Sequence, residues 1–497
     1  MSDAVAVSGR AGVEELDPRR WGILAVVVVA QLMVVLDASI VTIALPSAQK
    51  ALHISVANRQ WVITAYTVAF GGLLLLGGRI ADYGGRKRMF ILGLIGFAGA
   101  SAFGGLAVDQ AMLFGARALQ GAFAALMAPA ALSILTITFQ SDAGERAKAF
   151  GAYGAVSGAG GAIGVLAGGI LTQYASWRWC LLVNVPIAAL AAVAATRIVR
   201  DSRVEGSTKY DVAGALLSTA GLVCLVYGFT KAETDGWTST PTLILLSVAI
   251  VLLVAFVFQE ARTSHPLLPL RVVSERNRGG SYLATLLLGA GLFAMFVFLS
   301  YYLQSVLHYS ALKAGVAFLP FAFGIIVAAA ASTTLVPRVG PRLPMAGGIA
   351  VGALGLAWLT QIGVHTSYWT SVLPPELLMS LGLGLAFPAL SSTALTRVKD
   401  RDSGVASALV NTTQQVGGSL GTALLNTVAA TATASYIAAH GKLAAPAGVV
   451  HGFSVAFGVG AVFLAVGAIV AAVFVTATKR DLVMVGAPAP AAAAATA

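Results

Sequence analysis

Two ionisable residues, Asp37 and Arg117, sit inside apolar stretches of this chain. A carboxylate near the middle of a bilayer costs roughly 2.5–3.5 kcal/mol on insertion scales, so such a group faces a polar interior and needs a partner or a proton. Burial favours the neutral acid, whereas a nearby guanidinium favours the carboxylate. Together they form a couple that a proton can switch. Counting along each helix at about 1.5 Å per residue puts Asp37 about 12 Å and Arg117 about 9 Å below the same face, so the two can meet. A purely structural ion pair is the competing reading. Gln120 follows Arg117 by one helical turn.

A third such group is Glu376, which follows Pro374 and Pro375 and lies about 9 Å inside a later stretch. It can bind a cation or a second proton, or snorkel to external water. Polar and aromatic residues in several stretches are candidates for a ligand cavity: Gln31, Tyr66 and Gln120 early in the chain, then Phe296, Tyr301, Tyr302 and Glu376, and finally Asn411, Gln414 and Gln415. Aromatic faces with few polar groups suit amphiphilic ligands, although packing against lipid is an equal alternative for any one ring.

Two glycine-bearing segments have mechanical meaning. In the turn Gly78 to Arg88, Gly78 and Gly85 permit a tight reversal, Asp82 ends the preceding helix, and Arg86, Lys87 and Arg88 surround it with cations. The turn can act as a latch, or its charges can simply set topology. Gly160, Gly164, Gly168 and Gly169 recur at helical spacing, which lets two helices approach closely. They are expected to pack on a helix of the other half of the molecule and help seal the cavity.

The elements that must position these residues are membrane helices. Only 10% of the 497 residues are charged and 58% are hydrophobic, against roughly 25% charged in a soluble domain. Fourteen stretches reach or approach the roughly 20 residues that a bilayer requires: 21–45, 60–78, 90–108, 111–138, 149–172, 177–196, 212–229, 241–259, 280–304, 314–336, 345–364, 371–394, 405–430 and 453–476. With this alternation, 24 of the 31 Lys and Arg residues fall on the side of the termini and six on the other. That is the positive-inside bias of a chain with both termini in the cytoplasm. The formal charge of +11 therefore reflects topology, and nucleic acid is not an expected partner.

Cys180 and Cys224 both lie in apolar stretches and read as small buried residues, while the six histidines lack metal-ligand spacing. No metal, no cofactor and no enzymatic constellation is expected: the Gly-x-Gly match in the fifth stretch has no preceding strand, and no phosphate-binding loop for ATP is present. Residues 1–20 and 479–497 read as disordered cytoplasmic tails. A weak repeat relates the second and third stretches to the tenth and eleventh, each pair joined by a loop with Gly beside Arg, and points to two halves around a central site.

Gly78-Arg79-Ile80-Ala81-Asp82-Tyr83-Gly84-Gly85-Arg86-Lys87 resembles the loop 2-3 signature of the major facilitator superfamily, with Ile80 and Tyr83 as departures. Leu36-Asp37 through Leu45-Pro46, Arg117 to Gly121, and the glycine run with Val165 in place of a proline are similar to signatures of its fourteen-span drug:proton antiporter subfamily. Trp177-Arg178-Trp179 and Asn184-Val185-Pro186 fit the same subfamily, the tryptophans as interface anchors. The resemblance implies an all-α polytopic fold with a six-helix bundle at 21–198, two inserted helices within 199–278 and a second bundle at 279–478. It further implies export of lipophilic or cationic drugs against protons from a bacterial inner membrane, by a monomer drawing on the proton gradient. Export of one natural product and proton-coupled uptake remain alternatives.

Overall fold

The computed structural model describes residues 18–139, 143–202, 211–264, 266–396, 398 and 403–478. Most of both expected tails lies outside this range.

The described residues form helices joined by short turns. The first group is α1 (Arg20–Ala51), α2 (Trp61–Gly84), α3 (Arg86–Gly105), α4 (Gln110–Thr138), α5 (Ala143–Tyr174), the short α6 (Trp179–Leu182) and α7 (Asn184–Ile198). Next come α8 (Val212–Asp235) and α9 (Thr240–Arg262). After a single turn, α10 (Leu270–Val273), follow α11 (Arg276–Tyr301), α12 (Ala311–Ala317), α13 (Leu319–Val339), α14 (Arg342–Trp358), α15 (Tyr368–Ser371), α16 (Leu373–Ala394), α17 (Ser403–His440) and α18 (Ala445–Phe474). Side-chain caps start several of them: Asp109, Asp211, Ser239 and Ser310 each accept a backbone N–H from the first turn, which satisfies donors the helix leaves open.

Twelve spans among the described residues are long and apolar enough to cross a membrane. The two remaining expected spans correspond to α5 and α17, helices of 32 and 38 residues that fall outside that set. Several of the expected spans are interrupted, among them the sixth at Val183 and the twelfth at Val372. The tenth breaks at Phe318, between α12 and α13, and the ninth ends in a π-helical turn over Tyr302–Val306.

Early helices pack on one another, α2 and α3 on α4, α1 on α5 and α3 on α7; late ones do the same, α11 on α17 and α18, and α16 on α13 and α14. Contact between the groups runs through α2 on α17 and α5 on α12, while α8 lies against both α2 and α17. Its partner α9 is buried over only 11% of its most apolar stretch, so its exposed Leu, Ile and Val side chains are suited to lipid. The turns after α2 and after α13 correspond as the weak repeat suggests: Gly85 and Gly340 both take positive φ, +97° and +85°, which strains any residue with a Cβ.

Polar contacts between early and late helices concentrate at the end away from residues 20 and 474, here called the far face. Ser300 Oγ donates to the Thr42 carbonyl and Gln304 Nε2 to that of Ile43, each at 3.1 Å. Arg59 Nε donates to Asn426 Oδ1 at 2.9 Å, and its guanidinium lies 4.2 Å from the centre of the Tyr301 ring.

Candidate functional site

Asp37 and Arg117 meet. Asp37 of α1 and Arg117 of α4 lie on the inward faces of their helices, at 0% and 1% exposure. Arg117 Nη1 donates to Asp37 Oδ2 at 2.5 Å. The other carboxylate oxygen, Oδ1, accepts from Gln120 Nε2 at 2.9 Å and from Asn184 Nδ2 at 2.8 Å. Every partner of this carboxylate is a donor, an arrangement that suits the ionised form.

The arginine is held as firmly. Its Nε donates to the Val62 carbonyl at 2.9 Å and its Nη1 to Gln120 Oε1 at 2.8 Å, while its plane lies 4.6 Å from the Tyr66 ring centre. Gln120 also donates to Ser101 Oγ at 2.7 Å, so α1, α2, α3, α4 and α7 all contribute to one network. Two buried atoms beside it have no hydrogen-bond partner, the Tyr66 hydroxyl and Asn184 Oδ1. A cavity of about 10 Å³ adjoins Arg117, lined by Val41, Ala44, Leu113, Trp177, Cys180 and their neighbours. One water fills such a volume, so a drug-sized ligand does not bind there.

Asn184, Ser101 and Val62 were not legible as members of the site. Asn184 belongs to the Asn184-Val185-Pro186 segment, and its only local signal is an amide in an apolar span. Arg59 likewise reads as an ordinary loop cation, yet it is buried and bridges to the late helices.

The candidate ligand residues do not converge on one enclosed space. Tyr66 and Gln120 belong to the ion-pair network, and Gln31 accepts from the Tyr153 hydroxyl at 2.7 Å. Phe296 packs on Phe318 and Phe321, ring centres 5.3 and 5.1 Å away. At the far face, the Tyr301 hydroxyl donates to Gln49 Oε1 and Tyr302 donates to the Gly363 carbonyl at 2.8 Å. Asn411 is exposed, while Gln414 and Gln415 are half-buried where α17 crosses Gly289 of α11 and Gly71 of α2. Glu376 is 1% exposed and touches Tyr368 alone among polar side chains of the described residues.

The glycines of α5 divide their contacts. Gly160 lies against Val35, Gly164 against Ser39 and the Leu36 carbonyl, and Gly168 against Ile40, all on α1. Only Gly169 meets the late helices: a Cβ there would lie 2.8 Å from the Ala311 carbonyl oxygen of α12. Most of this seam is thus internal to the early helices, and the expected contact with the other half is confined to its far end. A close backbone approach of this kind is what small residues allow.

The turn after α2 is clamped to the last turn of α7 and to the segment that follows it. Arg86 N donates to the Ser202 carbonyl at 2.9 Å, Lys87 Nζ to that of Thr196 at 2.7 Å, and Arg88 Nε lies 3.1 Å from Asp201 Oδ2. Gly78 packs on Pro129 of α4. Arg79 reaches the Pro266 carbonyl at 3.5 Å, beyond α9. The Asp82 side chain lies outside the described set.

The chain is an all-α polytopic protein with a buried ion pair between its first and fourth spans. The Major Facilitator Superfamily profile matches residues 27–422, and the chain belongs to that family of transporters; it is not an enzyme. It is 50% identical to the puromycin resistance protein pur8 of Streptomyces alboniger over 455 residues, 90% of each chain. It is 40% identical to the cephamycin export protein of Amycolatopsis lactamdurans over 408 residues, covering 81% of this chain and 84% of the relative. Among solved structures, a POT family transporter, PepTSo, superposes with a TM-score of 0.67 at 17% identity, over 93% of this chain and 98% of the other, which shows the shared fold.

Proposed function

We propose that this transporter exports a lipophilic antibiotic-like molecule from the bacterial cytoplasm in exchange for protons. Both termini are cytoplasmic, so the far face is external, and α5 and α17 complete fourteen crossings arranged as two six-helix bundles with α8 and α9 inserted. The observation that carries the proposal is the buried Asp37–Arg117 couple, every partner of whose carboxylate is a donor. A proton arriving at Asp37 removes the charge that holds Arg117, frees the guanidinium, and biases the equilibrium between two accessible states. Substrate direction rests on the relatives, whose names describe antibiotic resistance and export. Each is named for one compound, which favours a narrow substrate range over multidrug breadth.

Puromycin is the first probe. Cells producing the protein accumulate less of it than control cells, a protonophore erases the difference, and Asp37→Asn behaves like the control. Greater accumulation in producing cells would replace export with uptake. Export that survives the protonophore would remove proton coupling.

A further inference from the structure

The second buried carboxyl has surroundings opposite to the first. Glu376 Oε1 has no hydrogen-bond partner, and Oε2 has one, the Tyr368 hydroxyl at 3.3 Å. No cation pairs with it among the described residues. Tyr368 of α15 is its polar contact; Tyr309, in the turn after the π-helical turn, acts on Tyr368, and Lys313 of α12 rests 3.8 Å from the Tyr309 ring centre. The other helices packed on α16 carry their charged or titratable residues elsewhere: Arg276, Arg278 and Tyr282 of α11, Arg338 of α13 and Arg342 of α14 lie towards the opposite end, Tyr301 of α11 is turned to Arg59, and Tyr436 of α17 stacks on His440.

Hydrogen-bond bookkeeping decides the protonation state. Tyr368 has one hydroxyl proton and two neighbours, the Ala317 carbonyl at 2.7 Å and Glu376. The shorter contact takes that proton. The Glu376 contact then needs a proton from the carboxyl itself, with Tyr368 accepting it. An ionised Glu376 would place an unpaired charge on a carboxyl that is 1% exposed in this state, which is costly.

Ala317 is the last residue of α12, where helix-terminal carbonyls lack intrahelical donors. That same short helix forms the far-face contact with α5: Gly169 abuts Ala311, and a Cβ on Gly315 would lie 2.8 Å from the Val165 carbonyl oxygen. We infer that Glu376 is a second proton-binding site, which controls the closure of the far face through Tyr368 and α12. When the carboxyl O–H breaks and its proton leaves to water, the new carboxylate recruits the Tyr368 hydroxyl. Tyr368 keeps its own proton but turns it from Ala317 to Glu376. The α12 terminus loses its tether, and the α5–α12 contact loosens.

This inference deepens the proton-coupled reading above, yet its test does not depend on transport. Spin labels are placed at Tyr174→Cys on α5 and Lys313→Cys on α12 in the full chain without its native cysteines, and their separation is measured across pH. The expected result is a separation that lengthens as pH rises in the otherwise unaltered protein, stays short throughout in Glu376→Gln, and no longer depends on pH in Tyr368→Phe. A pH response in Glu376→Gln equal to that of the parent overturns the inference. Infrared difference spectra provide the second measurement: the parent shows the carbonyl band of a protonated carboxylic acid, and Glu376→Gln lacks it. Persistence of an undiminished band in that variant also overturns the inference. Failure of puromycin efflux with the band and the separation behaving as expected would instead reject the transport reading.

Discussion

Asp37 and Glu376 are equally removed from solvent, and the protein neutralises them in opposite ways. Asp37 receives a guanidinium and two amide donors, from two different helices, α4 and α7. Glu376 receives a single long contact to a phenol. In a low-dielectric interior a carboxylate must be paired and hydrogen-bonded, or it gives up its charge by taking a proton. The early helices use the first solution and the late helices the second. A cation-paired carboxylate is released when a proton arrives. A proton-paired one is released when its proton leaves.

This contrast ranks the effects of single substitutions. Arg117→Ala strands the Asp37 charge and is expected to lower stability by about 3–5 kcal/mol, the cost of removing one partner from a buried pair. Equilibrium unfolding in mixed micelles measures it, and a change near zero would show that Asp37 is already neutral. Asn184→Ala removes one donor to a charged group, and the expected loss is about 1.5–3 kcal/mol by the same measurement. Tyr368→Phe removes hydrogen bonds between neutral groups, the short one to the Ala317 carbonyl and the long one to Glu376, with an expected loss of about 0.5–1.5 kcal/mol, mostly from the first. Glu376→Gln keeps the size of the side chain and a donor towards Tyr368, so a change within about 0.5 kcal/mol is expected. A loss as large as that of Arg117→Ala would mean that Glu376 is charged, and the contrast would collapse.

The ion pair was legible because depth along a membrane helix follows from residue count, and because an uncompensated charge in an apolar run demands a partner. The rest of the network was less visible. Asn184 and Ser101 carry no charge, and although Asn184-Val185-Pro186 stood out as a segment, nothing in the sequence tied either residue to the pair; only the packing of α3 and α7 on α1 and α4 brings Asn184 to Asp37 and Ser101 to Gln120. Helix positions were readable from apolar length, but the break at Phe318 was not, although Pro320 stands beside it. That break arises where α12 turns to meet α5, a tertiary requirement. The glycines of α5 announced a close helix contact, but the partner expected for them, a helix of the other half, holds only for Gly169; Gly160, Gly164 and Gly168 would suit any helix, and the structure gives them α1. Arg59 shows the opposite error: a cation in a short loop looks solvated, and only the approach of α17 with Asn426 buries it.

Puromycin accumulation in inside-out membrane vesicles, energised so that the interior is acidic, tests the central claim most directly. The account predicts accumulation that collapses with the proton gradient, is absent with Asp37→Asn, and persists with Glu376→Gln at fewer protons moved per puromycin. Accumulation by Asp37→Asn equal to that of the parent, still dependent on the gradient, would contradict the assignment of Asp37 as the coupling group.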